Sequence, residues 1–211
     1  MKIVIYGASG HGTVVADVVS AMGQDEVVGF IDDHTARHKN VVGRFPVLGG
    51  EEVLPEMVRK GIKGAIVAIG RNDVRLKKAD LLAGLGFQFV TAIHPSAVVA
   101  GDVEIGGGTV LMAGVIINAS AKIGAHVIVN TGATIDHDCV VEDGCHVSPG
   151  AHLAGMVVVR RGSHVGIGAC AIQCVTIGER ATVGAGAVVV RDVAAGITVV
   201  GNPARELVKH E

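Results

Sequence analysis

Residues 130–139 read NTGATIDHDC, and near their end His137 stands between two carboxylates, Asp136 and Asp138. An imidazole beside a carboxylate suits general acid–base chemistry. The acid fixes the ring's tautomer and stabilises the imidazolium that forms when the other nitrogen takes a proton. Adjacent residues of an extended segment point to opposite sides, so the sequence leaves open which carboxylate serves His137. In isolation the cluster also fits a solvated surface histidine. The pattern around it decides what it can do.

From Ile93 onward the chain divides into blocks of six. The opening residues run Ile93, Val99, Ile105, Leu111, Ile117, Ile123 and onward to Val189, all branched aliphatics except Ala171. The fifth places, from Ala97 to Val193, are all small or β-branched, and Gly recurs at the second and fourth. A single block cannot bury its own apolar face, so a strict short period implies a solenoid of stacked coils. The pattern resembles the left-handed parallel β-helix of hexapeptide-repeat acyltransferases, in which three blocks make one triangular coil. Residues 18 apart then lie above one another, about 4.8 Å apart. His137 holds the third place of its block, on the turn side, which predicts that it points outward. Gly155 holds the same place one coil later. A histidine that takes a proton from an acceptor, below a backbone N–H that stabilises a thioester oxyanion, would make an acyl-transfer pair.

Other residues invite a metal reading. His146 and His164 are 18 apart and should stack, but His152, one block after His146, falls on another edge. No short-spaced histidine pair completes a zinc set, and His152 and His164 read as surface residues. The four cysteines, Cys139, Cys145, Cys170 and Cys174, form no CxxC pair and read as small core residues.

Composition agrees with a coil-built core. Of 211 residues, 49% are hydrophobic but only 2% aromatic, and 31 are Gly, too many for a helical bundle. The net charge of −2 and the lack of a basic tract argue against nucleic acid and anionic membrane as partners. No apolar run reaches the ~18 residues that span a bilayer, and the apolar start is too short for a signal peptide. The expected location is the cytoplasm.

The first half has a different texture. KIVIY at 2–6 predicts a buried strand, followed by the turn GASGHG and a helix over TVVADVVSAM with a stripe of Val14, Val15, Val18, Val19 and Met22. VVGFIDD, GAIVAIG and FQFVTAI predict further strands, and EEVLPEMVRKG and NDVRLKKADLLAGLG helices. Such alternation implies a parallel, Rossmann-like α/β sheet over residues 1–92, ahead of a β-helix with a short C-terminal extension over 93–211. A Gly-rich turn opening a helix can cradle phosphate. The spacing is G-x-x-G-x-G rather than G-x-G-x-x-G, and the unit is about one mononucleotide half in size. With Asp32 and Asp33 ending the second strand, a mononucleotide site is favoured over a dinucleotide site.

Together YGASGHG, FIDD, AIGRND, IHPSA, NTGATIDHDCVVEDGCHVSPGAHLAG and GNPAR resemble the sugar O-acyltransferase family of hexapeptide-repeat acyltransferases. That family includes sialic-acid O-acetyltransferases and UDP-4-amino-sugar N-acetyltransferases, and the resemblance spans the whole chain. It implies an enzyme that transfers acetyl from acetyl-CoA, needs no metal, and forms a homotrimer with active sites between adjacent β-helices. It implies His137 as general base with Asp138 as its acidic partner, Asp standing where Glu is common. His146, Gly155, Ile167 and Ala185 would contact acetyl-CoA. Ser9, Gly10, His11, Asp32, Asp33, Arg71 and Asn72 would bind a nucleotide-sugar. The expected reaction is N-acetylation of a nucleotide-activated 4-amino-sugar. The alternatives are O-acetylation of sialic acid or a related sugar, a non-catalytic nucleotide-sugar binder, and a zinc lyase or hydratase.

Overall fold

The computed structural model describes residues 1–37 and 40–207, so residues 208–211 of the expected C-terminal extension lie outside the described residues. The chain falls into two compact units, Met1–Pro95 and Ser96–Glu211.

The first unit contains, in order, β1 (Lys2–Tyr6), α1 (Gly10–Met22), β2 (Glu26–Ile31), β3 (Val41–Val42), β4 (Phe45–Gly49), α2 (Leu54–Arg59), β5 (Gly64–Val67), α3 (Asn72–Gly84) and β6 (Gln88–Phe89). Its sheet runs β3-β4-β2-β1-β5-β6, parallel except for the β3–β4 pair. The central strand β1 is aliphatic because both its faces are covered: Ile3, Val4 and Ile5 are fully buried. Strand order reverses between β1 and β5, the switch point where ligands of open α/β sheets bind beyond the strands' carboxyl ends.

Three expectations change. Helix α1 begins at Gly10, so Gly10, His11 and Gly12 form its first turn rather than a preceding loop. Its buried stripe is Val15, Ala16, Val18 and Val19, whereas Val14 is exposed. The segment FQFVTAI holds two short strands, Gln88–Phe89 and Ala92–Ile93, rather than one. The sheet also gains β4, where FPVLG carries Pro46 and a terminal Gly and so hides its strand character.

The second unit is a left-handed parallel β-helix. Two-residue strands stack in register at intervals of 18, as in Thr134↔His152 and Ile135↔Leu153. They form three sheets that meet at turns. Block-opening residues from Leu111 to Val189 point inward and are buried, with none above 4% exposure. The turn geometry explains the period. Every sixth residue from Gly108 to Gly186 has φ between 54° and 75°, the left-handed region that Gly enters without strain. The fourth place of each block is therefore its corner.

Candidate active site

His137 and Asp138 form the corner that follows the strand Thr134–Ile135, and both are exposed. Asp138 is one of the non-Gly residues in the left-handed corner, with φ 57°. Asp tolerates that conformation better than most residues. There its Oδ2 comes 2.8 Å from His137 Nδ1. The short Asp side chain therefore reaches the ring. Asp136 instead braces the backbone. Its Oδ1 accepts the His137 backbone N–H at 2.8 Å and the Asn118 Nδ2–H at 2.8 Å from the coil below. These two bonds hold the Asp136 carboxyl below its ordinary pKa. The bond from Asp138, helped by the charges of both aspartates, raises the His137 pKa above the usual histidine value.

Gly155 lies against the imidazole. A Cβ at this position would sit 2.6 Å from both Cε1 and Nε2 of His137, so any larger residue would push the ring aside. The stack is tied by Met156 N–H donating to His137 O at 2.9 Å. The Gly155 N–H donates to no protein group among the described residues. A histidine oriented by a carboxylate, beside an unused backbone donor, can accept a proton and stabilise an oxyanion.

The other residues expected to contact acetyl-CoA sit elsewhere on the coil. His146 lies on the sheet face one strand before His137's sheet is reached again, its ring stacked on His164 at 4.9 Å and 5°. His146 Nε2 is 3.2 Å from Asn130 Nδ2, and His164 Nε2 is 2.8 Å from Ser148 Oγ. His152 is on a different sheet, 2.8 Å from Thr134 Oγ1. Among the described residues no three His, Cys, Asp or Glu side chains converge as a metal set. Ile167 and Ala185 are exposed and stack at the corner after His146's sheet, where Gly186 N–H donates to Ile167 O. That corner is not the one carrying His137 and Gly155, so a single chain does not bring the two pairs together.

In the first unit the expected residues gather at the carboxyl ends of β1, β2 and β5. Ser9 caps α1 in an extended conformation. Gly10 borders open space, while Gly7 (φ 113°) must be Gly because a Cβ would lie 2.6 Å from Ala68 O. His11 is neutral over most of the pH range: burial, helped by the Arg75 charge, lowers its pKa to about 4. Asp32 accepts from Ala8 N–H (2.8 Å), His34 N–H (2.9 Å) and Arg37 (2.8 Å). Burial opposes its charge, but these donors carry its pKa below the ordinary value. Asp32 thus ties the Gly-rich turn to the end of β2. Asp33 joins a separate network: Tyr6 Oη donates to it at 2.5 Å, and Lys78 bridges it, at 2.7 Å, to Glu51. Desolvation and these carboxylates push the Tyr6 pKa far up. Arg71 is exposed and paired with Asp73 at 2.9 Å, and Asn72 opens α3.

Sequence reasoning overlooked Arg75, which is 1% exposed and donates to Asn72 Oδ1, Ile69 O and Gly70 O. The available signal was its place in α3: Arg75, Ala79 and Leu82 make the buried i, i+4, i+7 stripe. Tyr6, Glu51 and Lys78 were also missed, because only the fold brings them to Asp33.

Residues 2–82 match the PglD N-terminal domain family. The UDP-N-acetylbacillosamine N-acetyltransferase of Bacillus subtilis (strain 168) is 41% identical over 115 residues, 53% of this chain and 51% of that protein. The match thus spans about half the length of that curated relative. A form of the GDP-perosamine N-acetyltransferase of Caulobacter crescentus with one histidine replaced by alanine, in complex with CoA and GDP-perosamine, has a TM-score of 0.95. It is 41% identical, with 99% of this chain and 98% of that chain covered. The acetyltransferase domain of PglB from Neisseria gonorrhoeae, in complex with acetyl coenzyme A, has a TM-score of 0.90 at 42% identity, with 98% of each chain covered. By this likeness along nearly its whole length, the chain belongs to the hexapeptide-repeat sugar N-acetyltransferases that carry a PglD-type N-terminal domain.

Proposed function

We propose that the protein transfers an acetyl group from acetyl-CoA to the amine of a nucleotide-activated 4-amino-sugar, with His137 as the general base. The observation that carries this reading is the pairing of His137 Nδ1 with Asp138 at 2.8 Å while the ring's other edge lies against Gly155. Asp138 holds the proton on Nδ1 and leaves Nε2 to act. Nε2 removes a proton as the acceptor nitrogen attacks the thioester carbon. The Gly155 N–H meets the oxygen that becomes negative in the tetrahedral intermediate. Collapse breaks the carbon–sulfur bond, and the imidazolium returns its proton to the departing CoA thiolate. The nucleotide end is assigned to the first unit, at the switch point between β1 and β5, with Ser9, Gly10, His11, Asp32, Asp33, Arg71 and Asn72 around it. His146, Ile167 and Ala185 are assigned to the acetyl-CoA path. The working form is a homotrimer.

Relatives support the nucleotide and the thioester: one binds CoA with GDP-perosamine, another binds acetyl coenzyme A. The test is thiol release from acetyl-CoA with UDP-, dTDP- and GDP-linked 4-amino-sugars and with free and CMP-linked sialic acid. Turnover on an amino-sugar nucleotide is expected, with a loss of about 10²- to 10⁴-fold in His137→Ala. Turnover on sialic acid alone would replace the acceptor. Equal turnover by the variant would remove His137 from the mechanism.

A further inference from the structure

The buried stripe of α3 contains a charge where an aliphatic residue would pack at less cost. Arg75 is 1% exposed, and burying a guanidinium is expensive unless its donors are satisfied. It donates to Ile69 O at 2.8 Å, to Gly70 O at 3.2 Å and to Asn72 Oδ1 at 2.8 Å. Two of these acceptors lie in the turn between β5 and α3, and the third belongs to Asn72, the first residue of α3. In a planar trans peptide the N–H points away from the preceding C=O. Two carbonyls turned inward onto Arg75 therefore turn the Gly70 and Arg71 N–H groups outward. Both residues are exposed, neither N–H donates to a protein group among the described residues, and Gly70 borders open space.

Across the switch point the β1–α1 turn presents a matching surface. The two turns touch, since a Cβ on Gly7 would meet Ala68 O. Gly10 also borders open space, and α1 has no acidic residue in its first turn. Two neighbouring phosphates could be met by these two sets of N–H groups. The other nitrogenous side chains bring little charge: His11 is neutral, and Arg71 is paired with Asp73.

We propose that Arg75 is a positioning residue for the diphosphate of the nucleotide-sugar: from behind the 69–72 turn it aims the Gly70 and Arg71 N–H groups at the crevice and adds a fixed positive charge there. The inference rests on the nucleotide-sugar reading above and is separable from it. The experiment is calorimetric titration of the full-length protein and its Arg75→Lys and Arg75→Met variants with GDP, UDP and CoA, beside steady-state kinetics on the accepted amino-sugar nucleotide. Lys keeps a charge but cannot span two carbonyls and an amide as the guanidinium fork does, and it covers the case in which Met fails to fold. In the variants, affinity for the nucleoside diphosphate that wild type binds should fall about 10- to 100-fold, the range of a few charge-assisted hydrogen bonds. KM for the nucleotide-sugar should rise, with kcat at saturation and CoA affinity unchanged. Wild-type affinity retained by Arg75→Lys would overturn the proposal and leave the nucleotide reading intact. Parallel loss of CoA affinity and thermal stability would make Arg75 a general structural residue and also overturn it. Failure of wild type to bind either diphosphate would overturn the nucleotide reading and the proposal together.

Discussion

At the residue scale, the choice between Asp136 and Asp138 is settled by backbone conformation. Asp138 occupies the corner, and φ 57° swings its carboxylate back to the ring of its own neighbour. Asp136 stays on the sheet face and holds the His137 backbone instead. This consequence was latent in the repeat, since the fourth place is the one Gly so often fills, but side-chain alternation alone could not reveal it. The 18-residue arithmetic did reveal Gly155. The Asp138 contact also sets a pH dependence. In the proposed role of general base His137 must be neutral, and the bond from Asp138 raises its pKa above the ordinary histidine value of 6.5. The acid limb of kcat/KM should therefore lie above that value and move to lower pH in Asp138→Asn, with kcat also reduced. An unmoved limb in the variant would show that Asp138 does not act on His137.

At the scale of elements, β1 and the coil strands were legible because their burial leaves one answer per position. Residues 3–5 are aliphatic on both faces, and the coil's inner places repeat without a slip. Element starts were less legible. The first turn of α1 holds two glycines, which mask a helix that tertiary contacts impose: a Cβ on Gly12 would collide with Gly7 O. His11 in the same turn is largely desolvated, and this has a stability consequence. The folded pKa is lowered to about 4 from 6.5, by desolvation first and the Arg75 charge second. Above pH 6.5 the group is neutral in both states and costs nothing. As pH falls toward 4, the unfolded chain binds a proton that the folded chain refuses, and stability declines by on the order of 3 kcal/mol. Below the folded pKa the loss stops. Urea unfolding of wild type and His11→Asn between pH 7 and 4 checks this. The wild-type midpoint should fall more steeply, and identical slopes would show that His11 protonates freely in the folded protein.

At the scale of the whole molecule, the separation of two corners is the fact to explain. His137 and Gly155 stack on one corner of the coil, whereas Ile167 and Ala185 stack on another. Both pairs are assigned to one acetyl-CoA, yet a triangular coil presents its corners in different directions. On the proposed homotrimeric reading, the site draws one corner from each of two chains. This could not be read from spacing, because a period places residues along one chain and is silent about a neighbour. Subunit mixing tests it. His137→Ala removes the proposed base from one corner, and Ala185→Trp obstructs the other, so each variant alone should be inactive. Co-refolded in equal amounts, they should form hybrid trimers in which roughly a quarter of the interfaces pair two unaltered corners. Activity should return to about that fraction of wild type. A mixture as inactive as its components would mean that each site is complete within one chain, and Ile167 and Ala185 would leave the acetyl-CoA path.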